Sequence, residues 1–226
     1  MGYVQEQLFP GGGRTRRGPR GSSTEKPIAF ETATVELPVE ALWNRVFTIS
    51  PLVIVGSKEP DGTYDLAPKN MAMPLGWRDR YCFVCTPRHA TYRNVERHRA
   101  FTVSFPHHFQ IVQTSLAASG RDADNSKPGL AALPTFPARV VDGVLVHGCY
   151  LFLECELDRI VGGFDDAALI VGRIVSASAR REAIRDPDRD DAEVLRHLPP
   201  LAYASPGRFA AVDETLSFPF PATFRR

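Results

Sequence analysis

The 226-residue sequence lacks a long apolar run, and its longest one, residues 51–55, has only the length of a strand. A membrane-spanning helix needs about 20 apolar residues, and a secretory signal needs an apolar core near the N-terminus. The sequence is equally poor in net charge, because 27 basic residues are balanced by 26 acidic ones. Such a balance argues against a general affinity for nucleic acid or anionic membranes. We therefore expect a cytoplasmic protein that has neither of these partners.

Several motifs that carry chemistry are absent as well. The sequence contains no GxGxxG or GxxxxGK[ST] loop for phosphate binding, and no Gly-x-Ser-x-Gly elbow of a hydrolase. The best metal-like pair is His107 and His108, but adjacent side chains on an extended chain face apart. No cysteine or carboxylate lies at ligand spacing beside them. We predict no metal site.

Cysteine is scarce, with single residues at positions 82, 85, 149 and 155. The spacing of Cys82 and Cys85 is that of a redox pair or half a metal site. However, residues 81–85 read as a strand, and residues three apart on a strand point to opposite faces. We therefore predict ordinary buried thiols and no disulfide.

The first 26 residues differ in composition from the rest. Three consecutive glycines precede four arginines, with more Gly, Pro and Ser around them, and such a segment cannot bury a core. We predict a flexible basic arm at residues 1–26 and one domain at residues 27–226. A solvated tail is the favoured interpretation of the arm, and a contact with a phosphate or an RNA is the alternative.

Short apolar segments separated by turn residues dominate the remainder of the chain. The patterns predict helices at residues 90–98, 109–119 and 126–133, and a surface helix or loop at residues 188–197. Predicted strands are residues 52–57, 63–67, 81–86, 101–105, 138–146, 150–160, 168–179 and 209–212. Most strand pairs lack a crossover helix between them. The pattern is therefore typical of a mainly β protein, an antiparallel barrel of about six or seven strands with short peripheral helices.

The stretch from residue 65 to residue 106 is the most informative part of the sequence. A predicted strand ends there in a polar turn formed by Ala67, Pro68, Lys69 and Asn70. A second strand then leads through Arg88 into a short helix. The start of a helix attracts anions, because its first N–H groups lack partners and its dipole favours negative charge. The segment therefore predicts an anion-binding site.

This order of motifs resembles the flavin reductase-like family, the FMN-binding split barrels. The resemblance rests on Leu66, Ala67, Pro68 and Asn70 in the first motif, and on Thr91-x-x-Asn94 in the second. It extends more weakly to a closing strand pair at residues 200–209 and covers residues 40–212. The fold that it implies is an antiparallel split β-barrel.

The resemblance also implies a cofactor, FMN, and a set of residues around it. Ala67, Pro68, Lys69 and Asn70 are expected near the flavin ring. Arg88, Thr91 and Asn94 are expected at its phosphate. His107 follows a predicted strand at the end where the site is expected, so it is a further candidate for a cofactor contact.

The activity implied by the resemblance is that of an NAD(P)H-dependent flavin reductase in a homodimer. A hydride would pass from the nicotinamide to bound FMN and on to a small acceptor. A flavin performs such chemistry itself, which explains why no acid–base pair stands out in the sequence. The main alternative is a non-catalytic FMN electron carrier, and a more distant one is a split barrel that binds haem or a deazaflavin.

Overall fold

A curled seven-stranded antiparallel sheet forms the body of the protein in the computed structural model, which describes residues 34–123 and 125–216. The strands are β1 (Thr48–Pro51), β2 (Val53–Lys58), β3 (Tyr64–Lys69), β4 (Ala72–Pro74), β5 (Arg80–Cys85), β6 (Ala100–Phe105), β7 (Thr135–Pro137), β8 (Val144–Val146), β9 (Leu151–Phe164), β10 (Ala167–Ala179), β11 (Leu201–Ser205) and β12 (Arg208–Ala211). The helices are α1 (Leu42–Arg45), α2 (Ala90–His98), α3 (Ile111–Leu116) and α4 (Asp191–His197). Turns of 3-10 helix are Val39–Ala41, His108–Gln110, Pro128–Ala132 and Arg181–Ala183.

The strand order of the large sheet is β3-β2-β6-β9-β10-β5-β4, and every pairing in it is antiparallel. Its two edge strands, β3 and β4, follow each other directly in the chain. The sheet is a half-barrel, and within the described ranges two smaller sheets accompany it, β1-β11-β12 and β7-β8. The predicted fold class, a mainly β antiparallel split barrel with short peripheral helices, is confirmed. Among the described residues, no helix is long and apolar enough to cross a bilayer.

Strand β2 is buried on both of its faces, which explains its continuous apolar pattern. Val53 and Val55 pack in the larger core with Phe83 and Phe101, whereas Ile54 belongs to a second core. This second core lies beneath α3 and the segment that follows it and contains Leu66, Ala117, Leu133 and Val146. Strand β2 contributes side chains to both cores, and β3 pairs with β2. The packing of the two cores therefore fixes the position of β3 at the edge of the sheet.

Several predicted boundaries are correct, and α2 occupies the predicted residues 90–98. The predicted strand at residues 138–146 is wrong, because the chain forms the β7-β8 hairpin there. The physical reason is the side chain of Glu154, which lies on β9. One carboxylate oxygen of Glu154 accepts the backbone N–H groups of Arg139, Val140 and Val141 at 3.0, 2.6 and 3.0 Å. These three donors are therefore not available to a strand ladder.

Three other segments differ from the sequence-based expectation. The predicted turn at residues 67–70 is strand as far as Lys69, which pairs with Val53. The predicted helix at residues 109–119 divides into the His108–Gln110 turn and the shorter α3, and its apolar residues Phe109 and Val112 are exposed. The predicted helix at residues 126–133 is the 3-10 turn Pro128–Ala132.

The four cysteines are buried and free. The predicted arm at residues 1–26 lies outside the described residues, as does the C-terminal stretch from residue 217 onward. The division of the chain into an arm and a domain stays a prediction.

Candidate functional site

Two neighbouring cavities lie along the edge strand β3. Ala67, Pro68 and Lys69 are consecutive residues of this strand, and Pro68 pairs with Ile54 of β2. A proline is tolerated here because an edge strand needs hydrogen bonds on one side only. Pro68 lines both cavities, and Ala118, which follows α3, does the same. The two cavities are therefore adjoining halves of one site.

The first half, called the apolar cavity here, has a volume of about 390 Å³. It is lined by Leu52, Pro68, Asn70, Thr114, Ser115, Ala118, Tyr203, Ser205 and Phe209. Tyr203 and Phe209 are cross-strand neighbours on β11 and β12, and their ring centroids lie 5.6 Å apart. The Tyr203 hydroxyl oxygen accepts a hydrogen bond from the Gly207 N–H at 2.9 Å, which fixes the ring. An aromatic wall of this kind suits a flat, largely apolar ligand.

The second half, called the cationic cavity here, has a volume of about 420 Å³. Five basic side chains line it, namely Lys69, Arg88, Arg93, Arg121 and Lys127. Asp65 contributes the one carboxylate among the described lining residues. Such an excess of positive charge attracts an anion. The strength of this attraction depends on how many of the five cations are already paired with carboxylates.

Three of these five cations have carboxylate partners. Arg88 forms an exposed ion pair with Asp166 in the turn between β9 and β10. Arg121 and Lys127 share Asp65, whose Oδ1 lies 3.2 Å from both of them. Arg121 is also paired with Glu59. The charges of these three cations are therefore largely compensated by the protein itself.

Lys69 and Arg93 have no carboxylate partner among the residues that the structure describes. The Lys69 Nζ donates to the thiol sulfur of Cys85 at 3.5 Å. The Arg93 guanidinium donates to the carbonyl oxygen of Arg88 at 2.6 Å. Neither contact is with a carboxylate, so the two positive charges are uncompensated within the described part of the chain, and they are called the free charges here. A phosphate monoester, with a charge of about −1.5 to −2 at neutral pH, is the matching anion.

His89 also lines the cationic cavity, and the positive charges around it affect its pKa. Partial burial lowers the pKa of His89, and the nearby charges of Lys69, Arg88 and Arg93 lower it further. The imidazole is therefore neutral at pH 7, and it adds hydrogen-bonding capacity to the cavity rather than charge.

The start of α2 places Thr91 at the cationic cavity. Thr91 is 1% exposed, and its hydroxyl donates to Asp65 Oδ2 at 3.4 Å. Asn94, one turn further on, is buried and donates to the Ser57 hydroxyl at 3.2 Å. Asn94 does not line either cavity. Its contact ties α2 to β2, and α2 in turn holds Thr91 and Arg93 in position.

His107 also lies outside both linings. Its Nδ1 accepts the Phe109 N–H at 3.3 Å and so caps the His108–Gln110 turn. Burial lowers the pKa of His107, with smaller contributions from the neighbouring His108 and Arg180. In this position the side chain organises the connection between β6 and α3.

The structure thus gathers most, but not all, of the residues that the sequence predicted. The cationic cavity contains Ala67, Pro68, Lys69, Arg88 and Thr91, and the apolar cavity contains Pro68 and Asn70. Sequence reasoning did not select Arg121, Lys127, Tyr203 or Phe209 as site residues. Arg121 and Lys127 flank a short polar segment that carries no recognisable motif. The aromatic pair had one signal, its place in the predicted closing strand pair.

Comparison with known proteins links this architecture to one family. Residues 45–212 match the family model described as a flavin reductase like domain. In sequence, the chain is similar to a protein of Methanothermobacter thermautotrophicus that is described only as uncharacterized. The two are 26% identical over 132 residues, which are 55% of this chain and 61% of that protein. The chain therefore matches about three fifths of the length of this relative.

Solved structures with the same fold include three proteins from bacteria. Flavoredoxin of Desulfovibrio vulgaris is 21% identical, with a TM-score of 0.67 over 83% of this chain and 99% of that one. Nitrilotriacetate monooxygenase component B from Bacillus cereus is 19% identical, with a TM-score of 0.68 over 87% and 100%. The 2-nitrobenzoate 2-nitroreductase of Pseudomonas fluorescens is 16% identical, with a TM-score of 0.68 over 89% and 99%. At these identities the likeness concerns the fold.

Proposed function

The chain belongs to the flavin reductase-like domain family and is accordingly a flavin-related oxidoreductase, and from this premise we propose that it binds FMN and is reduced by NAD(P)H. The observation that carries the proposal is the pair of adjoining cavities along β3. One is walled by the aromatic rings of Tyr203 and Phe209, and the other holds the free charges of Lys69 and Arg93. FMN has the same two parts, a flat ring system and a terminal phosphate.

The residues of the two cavities fit this cofactor in their chemistry. Tyr203 and Phe209 would orient the ring and exclude water from one of its faces. Lys69 and Arg93 would hold the phosphate, and the planar donor fork of Arg93 suits its oxygens. The Asn70 side chain, at the apolar cavity, offers both a donor and an acceptor to the polar edge of the ring.

The chemistry that FMN supplies when bound is the acceptance of a hydride and its transfer to a small acceptor. The tasks left to the chain are binding, orientation and the compensation of negative charge. Lys69 lies on β3 directly after Pro68, the residue common to both cavities. Its charge therefore lies close to the boundary between the two cavities, where it would favour an electron-rich ligand.

A spectroscopic experiment tests the proposal against an electron carrier. The protein is loaded with FMN and mixed with NADH or NADPH in the absence of oxygen. Rapid bleaching of the yellow absorption band supports the reductase. If the yellow band is unchanged by both nucleotides but is bleached by dithionite, the protein is a flavin electron carrier instead. A purified protein that shows the absorption of haem, or that binds a deazaflavin in preference to FMN, contradicts the proposed cofactor.

We also propose that the protein is a homodimer. Large apolar side chains are exposed on α1, on β1 and around β4, among them Trp43, Ile49, Met73 and Trp77. The Trp77 side chain is 93% exposed. Strand β1 contacts β4, so the exposed residues on these two strands lie on neighbouring elements. Monomeric proteins rarely leave such a large apolar surface open to water. A second copy of the chain that covers this surface explains the exposure.

A further inference from the structure

We infer that a buried ion-pair network makes this site selective for a flavin mononucleotide over the dinucleotide FAD. The network, called the partition here, consists of Glu59, Asp65, Arg121 and Lys127. Three of its members, Asp65, Arg121 and Lys127, line the cationic cavity, and none of the four lines the apolar cavity. The inference rests on the proposed flavin binding and adds to it the structural basis for a choice between two flavins.

The partition is tightly connected and poorly exposed. Arg121 pairs with both Glu59 and Asp65, and Lys127 pairs with Asp65 at 3.2 Å. The Lys127 Nζ also donates to the carbonyl oxygen of Leu66 at 2.7 Å, which anchors it to β3. The exposed fractions of the side chains are 4% for Asp65, 9% for Lys127, 11% for Glu59 and 25% for Arg121.

A third cavity, called the outer cavity here, lies on the far side of this network. Its volume is about 520 Å³, and Asp65, Arg121 and Lys127 line it as well as the cationic cavity. These three side chains therefore separate the two spaces. FMN ends at its phosphate, whereas FAD continues from that point with a second phosphate, a ribose and an adenine. If FAD continues from its first phosphate toward the outer cavity, its additional part has to pass the side chains of Asp65, Arg121 and Lys127.

Opening the partition is costly, because it separates buried charges from their partners. A carboxylate such as that of Asp65, left unpaired in the interior, is strongly unfavourable. The charge of the outer cavity opposes the dinucleotide too. Among its described lining residues, the carboxylates of Glu59, Asp61 and Asp65 outnumber the cations of Arg121 and Lys127. A second phosphate would therefore meet excess negative charge there.

The mononucleotide requires none of these changes. Lys69 and Arg93 line the cationic cavity without lining the outer one, and they are the two cations without carboxylate partners among the described residues. A terminal phosphate carries about two negative charges on one group, whereas each phosphate of FAD carries one. The two free charges are therefore placed to bind a terminal phosphate rather than one in the middle of a dinucleotide.

The test compares affinities rather than turnover. Flavin-free full-length protein is titrated with FMN, FAD and riboflavin, and binding is followed by the quenching of flavin fluorescence. We expect FMN to bind at least about tenfold more tightly than FAD, in line with the cost of separating a buried pair. In Arg121→Ala, which removes the largest side chain of the partition, we expect the ratio of the two affinities to fall at least about fivefold.

Two further variants make the result interpretable. Arg121→Gln retains a donor toward Glu59 and replaces the alanine variant if the latter does not fold. Arg173→Ala breaks an exposed pair with Glu156 on β10 and β9, outside all three cavities, and is expected to keep the original ratio. Equal affinities for FMN and FAD in the unaltered protein overturn the inference. So does a ratio that the Arg121 variants leave unchanged, or that Arg173→Ala lowers equally.

Failure of the inference is distinct from failure of the proposed function. A protein that binds FMN and FAD equally well still binds flavin, and only the role of the partition is then wrong. A protein that binds neither riboflavin nor FMN contradicts the proposed function itself, and the inference with it.

Discussion

At the scale of single residues, the proposed phosphate binding depends on Lys69 and Arg93, the two cations of the cationic cavity that have no carboxylate partner among the described residues. Lys69→Met and Arg93→Ala each remove one of the two free charges, and Lys69→Met retains most of the side-chain volume. Hydrogen bonds to charged groups contribute about 1.5–3 kcal/mol, so each change is expected to weaken FMN binding about ten- to a hundredfold. Arg88→Ala is expected to have a smaller effect, because Asp166 already compensates Arg88.

Riboflavin, which lacks the phosphate, is the control ligand for these three variants, and its affinity should stay close to that of the unaltered protein. Arg97→Ala is the matched control variant, because Arg97 lies one turn further along α2 and lines neither cavity. Unchanged FMN binding in both Lys69→Met and Arg93→Ala would place the phosphate elsewhere. Equal loss of riboflavin would indicate damage to the fold.

His89 provides a second measurement at the residue scale. Partial burial and three nearby cations lower its pKa because they disfavour the imidazolium form. An anion bound in the cavity offsets the cations and stabilises the imidazolium. The pKa of His89 is therefore expected to rise when FMN binds and to stay unchanged when riboflavin binds. An NMR titration of the imidazole signals in the free and bound protein measures this shift, and a pKa that falls with FMN contradicts the assignment.

At the scale of elements, the loop between β7 and β8 depends on one carboxylate. Burial alone would raise the pKa of Glu154, but the backbone N–H groups of Val140, Val141 and Arg139 lower it overall. Because the pKa is lower in the folded state, this carboxylate stabilises the fold above the pKa of an unfolded glutamate, about 4.3. The contribution is lost as the pH falls through the folded-state pKa.

Glu154→Gln removes the charge while nearly preserving the shape. We expect the free energy of unfolding in urea at pH 7 to fall by about 1.5–3 kcal/mol, the range for hydrogen bonds to a charged group. The difference from the unaltered protein should shrink below pH 4. Glu156→Gln, on the same strand but exposed and paired with Arg173, should change stability by less than about 1 kcal/mol. Equal effects of the two variants would rule out a special role of the loop contact.

At the scale of the whole molecule, exposed apolar side chains predict the oligomeric state. The chain has a mass of 25.0 kDa, and light scattering is expected to give about twice this value for a dimer. Trp77→Asp, which introduces a charge at the most exposed of the tryptophans, should weaken association and make the mass depend on protein concentration. A monomer that retains flavin at micromolar concentration would contradict the proposed dimer.

The amino-acid sequence by itself determined the strand-rich class and the helix at residues 90–98, because both follow from local periodicity. Its resemblance to the family also named Ala67, Pro68 and Thr91 as candidate site residues, and the structure brings these three to one cavity. Periodicity failed at residues 138–146, where the carboxylate of Glu154 takes the backbone donors.

Only the tertiary structure decided which cations have a carboxylate partner among the described residues. Arg88 and Arg93 look alike in the sequence, yet Arg88 meets Asp166, which lies 78 residues further along the chain. Arg121 likewise meets Glu59 across a separation of 62 residues. Compensation of charge depends on distance in space, and no local pattern encodes it. For the same reason, no local pattern predicts the aromatic wall or the partition, which form only when β11, β12, residues 117–123 and residues 125–127 come close to β3.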